Sequence, residues 1–200
     1  TQYNAFYLNM VANEMFLDTA LQRSSVVSHA KLLDYVPKSS VAPAAFVDIV
    51  VSNVTDSSLT LPIYTNFLSE SVNGVNYNFV TTESQTVNTV NNTVTFNNVE
   101  IKQGIPVNYR FTVDSSSNPT YTFQLPDANI DTSTIQVIVQ TSPSDTSYNI
   151  YNLSTDYLVL DGTSLVYFLQ ESLNGNYEIY FGDGILGNKL VDNNIIIVSY

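Results

Sequence analysis

The stretch that most constrains this chain runs from Tyr177 to Tyr200, YEIYFGDGILGNKLVDNNIIIVSY. Tyr177, Ile179 and Phe181 alternate with Glu178 and Tyr180. That is the period of a strand with one face drier than the other. Gly182-Asp183-Gly184-Ile185-Leu186-Gly187 then puts three glycines in six positions. Glycine tolerates positive φ, so the run predicts a turn with a constrained backbone. In it Gly182, Gly184 and Gly187 serve backbone geometry and Asp183 bonds local amides. Ile195-Ile196-Ile197-Val198 is β-branched and reads as a strand apolar on both faces. Strand, glycine turn and strand predict a hairpin with a long loop. No histidine or cysteine sits in it, which leans towards architecture and away from chemistry.

A chain of 200 residues with 44% hydrophobic content can bury a real core, in one β-rich domain or a helical piece plus a domain. Charged residues make up only 12%, about half the usual ~25%. Asn, Ser and Thr supply the polarity instead. A formal charge of −12 repels nucleic-acid phosphates and anionic membranes, so no nucleic-acid or membrane partner is expected. The absence of cysteine excludes a disulfide framework, thiolate zinc sites and cysteine nucleophiles. No apolar run is long enough to span a bilayer. Thr1 at the start, and a strand pattern still running at Tyr200, suggest a piece of a longer protein.

Leu8 to Leu33 holds no Gly or Pro and predicts a helix. A polar stripe, Glu14, Asp18, Gln22, Ser25 and His29, recurs at helical spacing. Apolar residues cover two other sides: Met15, Phe16, Ala20, Val27 and Ala30 on one, Met10, Leu17 and Leu21 on the other. A helix apolar over more than half its girth wants more than one neighbour. That neighbour is a second copy or an absent domain, or else the helix lies between the β domain and its own N-terminal segment. Met10, Met15, Phe16, Leu17, Leu21 and Val27 are the candidate assembly interface. Ser24-Ser25 is a candidate break, and Tyr35-Val36-Pro37 ends the helix.

Beyond Pro43 strands take over. Ala45–Val54, Leu59–Leu61, Asn76–Thr82, Val94–Lys102, Val107–Val113, Tyr121–Leu125 and Thr134–Thr141 are strand candidates. Tyr157–Leu160 and Leu165–Leu169 flank Asp161-Gly162, a good turn dipeptide. The expected fold class is mainly β with an N-terminal α-helical arm, as an antiparallel sandwich, a barrel or small β modules. The expected division is a helical arm over 1–37 and a β-rich domain over 38–200 that continues further.

Catalytic constellations are weak. His29 is the single histidine and lies on the polar stripe, where a surface or capping role is expected. No G-x-S-x-G turn presents a serine. Glu70, Glu83, Glu100, Glu171 and Glu178 are scattered, with no local motif for a glycosidase pair. Asp183, Asp192, Asn193 and Asn194 offer hard oxygens near a glycine turn. Their spacing matches no EF-hand loop, and turn geometry explains them better. No catalytic residue, metal ligand or cofactor is expected.

At Phe181-Gly182-Asp183-Gly184-Ile185-Leu186-Gly187 the chain resembles the baseplate J-like family, the baseplate wedge proteins of contractile-tailed phages and related injection machines. It is most similar to the wedge subunit that forms the inner baseplate ring. Other patches resemble the family too: Asn13-Glu14-Met15 through Ser28-His29-Ala30, Ala42-Pro43-Ala44-Ala45, Leu61-Pro62-Ile63 with Phe79-Val80-Thr81-Thr82, Asp131-Thr132-Ser133-Thr134, and Phe168-Leu169-Gln170-Glu171. Two departures stand out. Asn193 follows Asp192 where the family often has glycine, though asparagine also tolerates left-handed geometry. Tyr64-Thr65-Asn66 stands where an I-P-x-G-T turn supplies another glycine.

The resemblance implies a structural, non-enzymatic protein of the virion's tail baseplate, assembled in the host cytoplasm. It implies contacts with other baseplate wedge proteins and self-association. The alternative from the residues alone is an extracellular β-sandwich binding module for carbohydrate or a host surface.

Overall fold

The computed structural model describes residues 2–33 and 35–200. Two helices open the chain, α1 (Gln2–Glu14) and α2 (Arg23–Leu32). Thirteen strands follow: β1 (Ala44–Ser52), β2 (Ser58–Leu61), β3 (Asn66–Leu68), β4 (Asn78–Thr81), β5 (Gln85–Asn88), β6 (Thr93–Gln103), β7 (Asn108–Thr112), β8 (Thr122–Gln124), β9 (Gln136–Gln140), β10 (Tyr148–Leu153), β11 (Val166–Glu171), β12 (Tyr177–Phe181) and β13 (Ile195–Ser199). The chain is mainly β with a helical start, as expected. Its contacts fall into two compact units. One gathers the described residues up to Ser40 with Asn108–Ile130 and Ile135–Ser199. The other holds Val41–Val107, Asp131–Thr134 and Tyr200.

The Val41–Val107 unit is a four-stranded antiparallel sheet, β1-β6-β4-β3, and a two-stranded one, β2-β5. Strand β1 alternates strictly, with Ala45, Val47, Ile49 and Val51 turned inward. Its partner β6 needs a correction to match. Val94 and Phe96 face the core on even positions, and Val99 and Ile101 on odd ones. The parity change is made by a β-bulge: Asn97 and Asn98 together oppose Asp48. Asn98 takes a left-handed φ of 53°, and its N–H donates to the Asp48 carboxylate at 2.8 Å. Leu59, Leu61 and Val87 of the small sheet close the same core.

In this unit the Leu61-Pro62-Ile63-Tyr64-Thr65 turn keeps the conformation that glycine would supply. Tyr64 sits at φ 60°. Its ring is partly buried and its hydroxyl donates to the Thr134 carbonyl at 3.1 Å, which offsets the strain. Burial pushes the Tyr64 phenol up to about 12. Thr81, fully buried, donates to the Pro62 carbonyl at 2.8 Å and accepts from the Thr65 N–H at 3.0 Å.

The second unit is a seven-stranded sheet ordered β7-β13-β9-β10-β11-β12-β8. Its pairings are antiparallel except β10–β11, which is parallel. Edge strands β7 and β8 approach each other, because the Phe111 and Phe123 rings lie 5.1 Å apart. The sheet therefore curls towards closure, which blunts two edges that would otherwise invite aggregation. Phe123, Phe181 and Tyr151 continue the aromatic line inside, at 6.0 and 5.5 Å. Ile195, Ile196 and Val198 are all buried, so β13 is apolar on both faces, as its composition predicts.

Four expectations are corrected. The stretch after Tyr177 is not a hairpin: β12 pairs with β11 and β8, whereas β13 pairs with β7 and β9. The glycine loop carries the chain across the sheet instead of back along it. Tyr157–Leu160 is a turn segment, not a strand, so Asp161-Gly162 joins no hairpin. Strands β3, β5 and β10 were not expected. Finally, the single helix over 8–33 is two helices separated by a turn at 15–22.

Candidate assembly surfaces

The helix break has a local cause. The Glu14 carboxylate, at the end of α1, accepts from the N–H groups of Leu21 and Gln22 at 3.0 and 3.3 Å. It thereby takes up N–H groups that stand free at the start of α2. Thr19 Oγ1 donates to the Asn13 carbonyl at 2.6 Å. Bonds to Ser25 first, then to Leu21 and Gln22, hold the Glu14 carboxyl below its ordinary value. His29 Nε2 lies 2.9 Å from the Glu14 carbonyl. The polar stripe read along one helix is thus a polar corner between two.

Helix α2 is clamped to the seven-stranded sheet. Arg23 makes a bidentate pair with Glu171 of β11, at 3.0 and 2.8 Å. The Glu171 side chain is 1% exposed and that of Arg23 69%. Lys31 reaches Glu178 of β12 at 3.3 Å, and Gln170 donates to the same carboxylate at 2.7 Å. The Tyr177 hydroxyl donates to the Pro37 carbonyl at 3.1 Å. Val27 and Ala30 are buried.

Helix α1 has no such packing, and none of its residues is buried. Met10, Met15, Phe16 and Leu17 are exposed, and Leu21 is 87% exposed. Val27, named with them as candidate interface, is instead inside. The structure adds Tyr3, Phe6, Tyr7, Leu8 and Val11 to the exposed set. Their signal was the Gly- and Pro-free run that continues to the start of the chain, ahead of Leu8.

At Gly182 the backbone of the glycine loop leaves no room for a side chain. A Cβ on Gly182 would meet the Gly187 carbonyl at 2.3 Å and the Leu186 oxygen at 2.5 Å. Gly184 and Gly187 have φ of 94° and 90°. The Asp183 carboxylate accepts from the N–H groups of Ile185 and Leu186 at 2.9 and 3.1 Å, and those bonds, in that order, keep its carboxyl below the ordinary value. Further on, Asn193 takes φ 70°, so it supplies the left-handed geometry that a glycine would. Asp192 is occupied as an acceptor from Ser115, at 2.7 and 2.9 Å. Among the described residues no group of three or more His, Cys, Asp or Glu is placed to hold a metal ion. No helix among them is long and apolar enough to cross a membrane.

The described residues thus form a mainly β chain led by a helix, α1, with no buried residue of its own. Comparison with known proteins places likenesses along it. Residues 111–200 match the family model for the third domain of bacteriophage baseplate wedge protein gp6. The whole chain is similar to baseplate wedge protein gp6 of Enterobacteria phage T4, 28% identical over 223 residues, taking in 99% of this chain and 32% of that protein. The chain spans about a third of the length of that relative. The likeness to baseplate wedge proteins of contractile-tailed phages, read from the F-G-D-G loop and its companion patches, is thereby borne out.

Proposed function

We propose that this chain is part of a structural baseplate wedge protein of a contractile-tailed phage, sited in the tail baseplate of the virion and working through protein–protein contacts. The observation that carries this reading is the similarity to the T4 wedge protein along 99% of the chain. The exposed apolar side chains of α1 and its following turn support it: Met10, Met15, Phe16, Leu17 and Leu21 cannot all stay in water without cost. A second helix-bearing protein chain of the wedge, or another copy of this one, is the occupant. Val27 belongs to the internal packing of α2. The glycines at 182, 184 and 187 and Asp183 act as a structural turn with no ligand of their own.

The test is assembly of the full-length protein with the other wedge proteins of the same phage, followed by velocity sedimentation. Serine at Met10, Phe16, Leu17 and Leu21 should abolish the fast-sedimenting complex and leave the melting temperature of the free protein unchanged. A complex that forms equally well with the substituted protein would refute the assembly role of α1.

A further inference from the structure

A second exposed apolar surface lies on loops that α1 does not share. The 154–165 segment and the 182–190 segment are interlocked. A Cβ on Gly162 would meet the Gly184 carbonyl oxygen at 2.2 Å. The Gly187 N–H donates to the Asp161 carbonyl at 2.9 Å, and the Asn188 N–H to the Ser164 carbonyl at 2.8 Å. Tyr157 fixes the first segment from beneath, stacked on Phe168 at 5.1 Å, which in turn stacks on Tyr180 at 5.0 Å. Three aspartates set the local turns. Asp156 accepts from the Leu158 N–H at 2.9 Å, Asp161 from the Thr163 N–H at 2.9 Å, and Asp183 from the Ile185 N–H at 2.9 Å.

On this fixed frame the apolar side chains point away from their own chain. Leu158 is 95% exposed, Val159 78% and Ile185 74%, with Leu186 beside them. A mobile loop loses backbone entropy when a partner orders it, whereas the backbone carrying these side chains is already held by its turns. The two segments carry a definite charge. They hold three aspartates, Asp156, Asp161 and Asp183, and one ammonium, Lys189, which lies 5.8 Å over the Tyr121 ring.

We infer that the Leu158–Val159–Ile185 surface docks another protein whose apolar contact patch is rimmed by lysine or arginine. The excess of aspartate over lysine in these segments argues against a second copy of a chain with net charge −12, and against an anionic membrane. Occupancy of this surface is independent of the baseplate reading.

The test is an NMR titration of the purified protein with a cationic amphipathic Leu/Lys helical peptide, and separately with its Leu/Glu counterpart. The Leu/Lys peptide should give saturable shifts at residues 156–163 and 183–191, and the Leu/Glu peptide none there. Leu158→Ser with Ile185→Ser should weaken binding at least tenfold with the rest of the spectrum unchanged, since both side chains are exposed. Asp156→Asn with Asp183→Asn keeps the acceptor oxygens and removes two charges, and should also weaken binding. Equal response to both peptides, shifts that persist in the Leu158/Ile185 variant, or shifts at these residues that grow with protein concentration alone would overturn the inference.

Discussion

Gly182 and Gly184 stand two residues apart, yet they are glycine for different reasons. At Gly182 the obstacle is backbone: the Gly187 carbonyl lies 2.3 Å from where a Cβ would sit. At Gly184 there is room, with the nearest atom 3.6 Å away, and the obstacle is φ at 94°. Gly182→Ala must push two loop strands apart and should cost about 3 kcal/mol. Gly184→Ala carries only a conformational penalty, about 1 kcal/mol. Urea denaturation of the two variants measures the difference, and equal losses would contradict the close packing. The sequence exposed the density of glycine here but not its purpose. Which glycine is crowded depends on a carbonyl five residues on, and Gly162 is fixed by Gly184, 22 positions away, a proximity with no local signal. Tyr64 and Asn193 show the converse, because both hold positive φ without being glycine.

At the scale of the element, local patterns predict strands better than they predict partners. Alternation in β12 and β9, and the β-branched run in β13, were legible because burial on a sheet has period two. Strands β5 (QTVN) and β10 (YNIYNL) were not, because β5 turns only Val87 and Gln85 inward and β10 buries only Tyr151, so neither shows an apolar alternation. The mistaken hairpin has the same origin: β12 and β13 share a sheet but have three strands between them in its order. The helix break was expected at Ser24-Ser25 and falls at 15–22 instead, because no Gly or Pro marks it and the Glu14 carboxylate makes it.

Two elements permit quantitative tests. Deleting Asn98 removes the bulge and turns Val99 and Ile101 out of the core. At roughly 2 kcal/mol for each side chain, the Val41–Val107 unit should lose about 4 kcal/mol. Asn98→Gly should change stability by only a few tenths. Hydrogen exchange of the β1–β6 amides reads both. For the α2 clamp, Arg23→Ala leaves the buried Glu171 carboxylate without its partner. Because Arg23 is largely solvated, the cost sits at the low end for such pairs, about 2 kcal/mol in thermal or urea unfolding. Exchange protection should fall first in α2.

For the molecule as a whole, the titration of the turn aspartates sets an acid limit. Hydroxyl and amide donors hold Asp114, Asp145, Asp161 and Asp183 below their ordinary value of 3.8. At Asp131 burial pushes upward, but Ser133, Lys102 at 2.9 Å and the Ala42 N–H outweigh it, and the net shift is downward. A carboxyl whose folded value is depressed contributes stability that is present above its unfolded value and lost as pH falls through the folded one. The melting temperature should therefore be level above about pH 5 and fall steadily below pH 3.8. A melting temperature that rose on acidification would contradict the assignment of these aspartates as native-state acceptors.

The proposed role is assembly in a phage tail. The chain's architecture was visible in outline from composition and loop motifs, and its unpartnered helix only partly, because exposure depends on neighbours the sequence does not announce. The most direct measurement is a cryo-EM reconstruction of the tail baseplate from the particle whose genome encodes this chain. The account predicts density for both β units within the wedge, with Met10, Phe16 and Leu21 covered by another protein chain. A chain missing from the baseplate, or present with α1 bare to solvent, would contradict it.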